Sequence, residues 1–65
     1  MIERQNIGWR VKKDGAYFVR VGPGMVEWNP ARKCGLLFIV SSLAHRVASM
    51  TGGRVVPVFK VTRDQ

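Results

Sequence analysis

The sequence predicts a small α+β domain, an antiparallel sheet with one or two helices packed on one face in the order β-β-β-α(α)-β. Two alternating apolar and basic runs flank an Asp-Gly pair at 14–15, which is typical of a tight hairpin. Residues 42–51 have the periodicity of an amphipathic helix, and residues 54–62 are rich in β-branched residues. The 65 residues suffice for a single domain, 1–65, with fraying expected at 1–6 and 63–65.

The hairpin determines which residues share a face. A type I′ turn at 14–15 pairs Lys13 with Ala16 and, further out, places Val11 opposite Phe18. Side chains alternate between the two faces of a strand. One face therefore gathers the expected core residues Ile7, Trp9, Val11, Ala16 and Phe18. The other face is basic and aromatic, and it carries Arg10, Lys12, Tyr17 and Val19.

The rest of the meander and the first helix follow from turn and cap residues. Gly-Pro-Gly at 22–24 predicts a turn into a short third strand at 25–28. Asn29 and Pro30 are suited to begin a helix over 30–37. Gly35 weakens that helix, so the sequence leaves its existence open.

The second helix is better defined. A serine at 41 or 42 is expected to cap it, and a glycine at 52 or 53 to end it. Its expected apolar stripe consists of Leu43, Ala44, Val47, Ala48 and Met50. The closing strand contains Pro57, which has no N–H to donate, and this predicts an edge position or a bulge.

Residues suited to catalysis or metal binding are scarce. The chain has four acids, one cysteine and one histidine. No two acids are spaced for general acid-base chemistry, and a zinc site needs several ligands. Cys34 and His45 lie on different predicted helices with no third residue to orient the histidine. We therefore expect a protein that is not an enzyme and has no catalytic residues, metal site or cofactor.

The net charge is the strongest global signal. Eleven Lys and Arg residues against four acids give +7 and a pI near 10.9. Such a positive field favours an anionic partner, either nucleic acid or an acidic host protein or ribonucleoprotein. No apolar run is long enough to span a membrane, and we expect no membrane partner. A lone cysteine and the lack of a signal peptide predict a cytoplasmic location.

Two groups of basic residues are candidate binding sites. On the second face of the sheet, Arg10, Lys12 and Tyr17 suit a phosphate backbone and a stacked base, with Arg20 at the margin. A solvated sheet face has a similar composition by default, so this alternative stays open. Arg32, Lys33 and Arg46 form a second group on the helical side. An exposed Trp28 and an edge strand would also permit a homodimer.

A resemblance covers residues 9 to 58. Its features are a W-R-V strand, a D-G hairpin, a tryptophan before "NPARKCGLLF", and then "SSLAHRVASMTGGRVVPV". The chain resembles small α+β proteins encoded by phages and prophages, most of which have no assigned role. Some such proteins are anti-CRISPR inhibitors. The resemblance implies, as an alternative to nucleic-acid binding, an inhibitor that docks on a host defence enzyme or ribonucleoprotein complex, and it assigns no residue.

Overall fold

The described residues form a four-stranded antiparallel sheet and one α-helix, which confirms the predicted α+β class. The computed structural model describes the backbone of residues 2–63 and the side chains of residues 3–61. The elements are β1 (Ile2–Lys13), β2 (Ala16–Gly22), β3 (Met25–Asn29), α1 (Ser41–Thr51) and β4 (Arg54–Arg63). The sheet order is β3-β2-β1-β4, so β4 lies at an edge, as Pro57 predicted.

The first hairpin has the predicted turn. Residues 14 and 15 both adopt positive φ, at 51° and 79°, as a type I′ turn requires. Lys13 pairs with Ala16, and Lys12 pairs with Tyr17. The register that the Asp-Gly turn predicts for these two pairs is therefore confirmed.

Beyond these two pairs, β1 and β2 separate, and the loop before α1 enters the gap. The N–H of Leu36 donates to the carbonyl of Phe18 at 2.8 Å. Phe38 and Trp9 exchange two backbone hydrogen bonds, at 2.7 and 2.8 Å. The predicted pairing of Val11 with Phe18 was wrong, because this loop supplies the backbone partners instead.

A β-bulge in β1 alters the predicted face pattern. The ladder between β1 and β4 shifts register between Asn6 and Gly8. Ile7 is the extra residue, and its side chain is 40% exposed. Its predicted place in the core was wrong, since a bulge interrupts the alternation of side chains. Strand β1 begins at Ile2, earlier than predicted. The fraying expected at both ends of the chain falls partly on residues 1, 64 and 65, which lie outside the described residues.

The core lies between the sheet and α1. Of the side chains at 3–61, four are buried: Val11, Phe18, Ala44 and Ala48. Six half-buried residues pack around them: Trp9, Val26, Trp28, Phe38, Val47 and Val55. The Phe18 ring meets Trp28 edge-on and stacks on Phe38, with both centroid distances 5.9 Å. Trp28 was expected to be exposed, but this packing half-buries it.

Helix α1 turns Ala44, Ala48 and the half-buried Val47 toward the sheet and its largest apolar residues away from it. Ala44 and Ala48 are buried, whereas Leu43 is 48% and Met50 is 75% exposed. The predicted places of Leu43 and Met50 in the apolar stripe that packs on the sheet were therefore wrong. Because the helix face that carries Ala44 and Ala48 meets the sheet, Leu43 lies at the margin of this contact. The helix ends at Gly52, whose φ of 76° is left-handed, as predicted.

The segment after β3 does not form the α-helix considered over 30–37. It contains a single 3-10 turn, Arg32–Cys34. The Asn29 side-chain oxygen accepts the Ala31 N–H at 2.8 Å, and Gly35 is extended. Within residues 2–63, no helix is both long and apolar enough to cross a membrane.

Candidate nucleic-acid interface

An open groove of about 580 Å³ lies where β1, β2, β4 and the 3-10 turn meet. We call it the basic groove. Its charged lining consists of Arg4, Arg10, Lys12, Arg32 and Lys33. Its uncharged lining consists of Tyr17, Val56, Pro57, Val58, Phe59 and Val61. Val56 and Val58 are half-buried while Arg4, Arg32 and Lys33 are exposed, so an apolar floor lies beneath a basic rim.

Among the residues that the structure describes, the lining of the basic groove has five cations and no carboxylate. Of the three described acids, Glu3 precedes Arg4 on β1 but does not line the groove, Asp14 lies in the hairpin turn, and Glu27 is paired with Arg20 at 2.8 Å. Like charges gathered around a concave surface focus a positive potential into it. The basic groove is therefore suited to an extended polyanion.

Gly35 brings the 3-10 turn against the sheet. A Cβ atom on Gly35 would lie 2.7 Å from the Tyr17 Cβ and 3.1 Å from the Arg10 Cδ. The Gly35 carbonyl also accepts a long hydrogen bond from the Arg10 Nε, at 3.4 Å. Only a residue without a side chain permits this approach, and the approach places Arg32 and Lys33 on the wall of the groove.

Each of the two aromatic rings in the groove carries a cation over its face. The Lys12 Nζ lies 5.5 Å from the centre of the Tyr17 ring. The Arg4 guanidinium carbon lies 5.8 Å from the centre of the Phe59 ring. Such pairs are weakly attractive at exposed sites. They keep a ring and a positive charge side by side at two places in the same groove.

The structure brings together five of the seven residues that the sequence singled out. Arg10, Lys12 and Tyr17 lie in the basic groove with Arg32 and Lys33, which the sequence had assigned to a separate group on the helical side. The short 3-10 turn, in place of a longer helix, accounts for this difference.

The other two predicted residues lie elsewhere, and two groove residues were missed. Arg20 is paired with Glu27 across β2 and β3, and Arg46 is an exposed residue of α1 outside the groove lining. Arg4 and Phe59 were missed because they meet only through the pairing of β1 with β4. The density of valines in "VVPVFKV" indicated a strand that includes Phe59, but it does not specify a partner strand.

Comparisons with protein-family models, with curated proteins and with solved structures found no match to this chain. Among the described residues, no three His, Cys, Asp or Glu side chains cluster in a way that could hold a metal ion. The geometry and charge of the basic groove are the features of the described residues that bear on function.

Proposed function

We propose that the protein is a small, basic, non-enzymatic binding protein of a phage or other mobile element, and that it binds nucleic acid in the host cytoplasm. One observation carries the proposal: within the described part of the chain, five cations and two aromatic rings line one groove to which no carboxylate contributes. Phosphates would be held by the cations, and binding would release the counterions of the nucleic acid. This contribution of the phosphates to affinity does not depend on the base sequence of the nucleic acid.

Little sequence preference is expected of this protein. Recognition of duplex sequence by a helix needs side chains that reach base edges in the major groove. Helix α1 packs Ala44 and Ala48 against the sheet and offers one arginine, Arg46, on its exposed side. Phosphate contacts position a protein without reading sequence. Binding should therefore depend on salt much more than on base composition.

The alternative is an inhibitor that docks on a host defence enzyme or ribonucleoprotein complex, as anti-CRISPR proteins do. The observation in its favour is the apolar surface around the start of α1, where Ile39 is 78%, Val40 51% and Leu43 48% exposed. Exposed apolar residues next to one another are typical of protein interfaces. In this alternative, the basic groove would contact an acidic patch or the RNA of the complex.

A capture experiment distinguishes the two functions. The tagged protein is incubated with host lysate, with and without nuclease, and a fluorescently labelled mixed-sequence oligonucleotide is titrated separately with the purified protein. We expect direct binding to the oligonucleotide and loss of captured material after nuclease. A protein retained after nuclease, together with no binding to the oligonucleotide, would favour the inhibitor.

A further inference from the structure

The two ring-and-cation pairs lie at opposite ends of the basic groove. Lys12 and Tyr17 are register partners next to the first turn. Arg4 lies eight positions earlier on β1, over Phe59. At about 3.3 Å per residue, Arg4 and Lys12 are separated by roughly 25 Å along the strand. Arg10 lies between them on β1 and also lines the groove.

We infer that the basic groove takes single-stranded nucleic acid, with one base stacked on Tyr17, another on Phe59, and the intervening phosphates held by Arg10 and the two ring-capping cations. This inference rests on the proposed function and specifies its substrate class. A span of roughly 25 Å accommodates about four nucleotides, the lower end of the range for single-strand binding modules.

The apolar floor is the reason to prefer a single strand. A duplex keeps the faces of its bases inside the stack and presents phosphates and sugars to a basic surface. It would engage the exposed rim residues Arg4, Arg32 and Lys33 and leave the floor without a partner. A single strand can offer base faces to Tyr17 above Val56 and Val58, which share its face of the sheet, and to Phe59, which alternates to the other side of the edge strand β4 at the far end of the groove. Stacking of this kind tolerates any base.

Both rings are accessible to a base. Phe59 is 47% exposed and Tyr17 is half-buried. Their covering cations come from flexible Lys and Arg side chains, which can swing toward a phosphate while the base takes their place on the ring. The cation therefore remains next to the stacked base after this exchange, where it can pair with the phosphate of the same nucleotide.

The test compares a labelled 16-nucleotide mixed-sequence DNA as single strand and as duplex, by fluorescence anisotropy at low salt. We expect the single strand to bind at least about tenfold more tightly. Phe59→Leu and Tyr17→Leu should each lower single-strand affinity about fivefold or more, with little effect on duplex binding. Phe59→Tyr and Tyr17→Phe keep a ring and should therefore bind the single strand nearly as tightly as the wild type.

The outcomes separate this inference from the proposed function. Equal affinity for single strand and duplex, with no effect of either Leu variant, would overturn the single-strand inference and leave nucleic-acid binding standing. No binding to either form would overturn both. Tyr17 is half-buried and its replacement could unfold the chain, so melting temperatures are measured, and the more exposed Phe59→Leu serves as the independent variant.

Discussion

Trp9 and Phe38 exchange two backbone hydrogen bonds across a gap between β1 and β2, at 2.8 and 2.7 Å. This pair joins the loop before α1 to the sheet and satisfies backbone groups that β2 does not reach. It also brings the loop carbonyl of Phe38 against Gly8, in the bulge of β1. The two hydrogen bonds between Trp9 and Phe38 therefore fix the position of the loop before α1 relative to strand β1. We call this contact the loop–sheet junction.

Gly8→Ala should destabilise the protein. An added Cβ would lie 2.6 Å from the Phe38 carbonyl oxygen, a backbone atom that cannot move away without breaking the bonds to Trp9. We expect a loss of about 1–3 kcal/mol in the free energy of unfolding, measured by urea denaturation. Gly22→Ala is the matched control, because its added Cβ meets nothing closer than 3.7 Å. Equal stability of the two variants would show that this junction is not tightly packed.

Adjacent positions of α1 should respond differently to substitution. Ala44 is fully buried, so Ala44→Leu forces atoms into a filled space and should cost about 1–3 kcal/mol. Leu43 is about half exposed, so Leu43→Ala should cost at most about 1 kcal/mol. Thermal unfolding followed by circular dichroism measures both. A larger loss for Leu43→Ala than for Ala44→Leu would mean that the helix packs on the stripe predicted from sequence.

Turn and alternation signals predicted much of the fold, and long-range packing accounts for the rest. The type I′ turn, the edge position of Pro57 and the end of α1 at Gly52 all follow from local backbone chemistry. The helix face and the bulge at Ile7 do not, because each depends on how two distant segments meet. Leu43 and Ala44 are neighbours on one apolar stripe, and only packing against the sheet decides which of them is buried.

The contacts of the candidate site also fall into those that local sequence signals predict and those that depend on distant segments. The pairing of Lys12 with Tyr17 follows from the turn and was predicted. The contact of Arg4 with Phe59 depends on the register of the first and last strands, which no local signal specifies. Arg32 and Lys33 reach the groove because Gly35 fits between Tyr17 and Arg10. The sequence marked Gly35 as a helix-weakening residue but not as a contact.

Gly35→Ala should impair binding through the shape of the groove rather than its charge. Its φ of −71° and ψ of 143° suit alanine, so the backbone is not strained. The added Cβ would instead push on Tyr17 and Arg10. We expect single-strand affinity to fall about fivefold or more, equivalent to about 1 kcal/mol, with the net charge unchanged. Unaltered single-strand affinity, measured by the same anisotropy titration, would mean that binding does not depend on the positions of Tyr17 and Arg10.

The salt dependence of binding tests the central claim, that the basic groove is the nucleic-acid interface. Two variants lower the net charge of +7 by the same two units: Arg10→Gln/Lys12→Gln in the groove and Arg46→Glu on α1. Each is titrated against the single-stranded oligonucleotide at several salt concentrations.

If up to five phosphates are neutralised, the wild-type slope of log affinity against log salt should be about −3 to −3.5. We expect the groove variant to bind much more weakly with a slope reduced to about −2, whereas Arg46→Glu keeps nearly the wild-type slope. Equal slopes and affinities for the two variants would contradict the central claim, because binding would then follow total charge and not the groove.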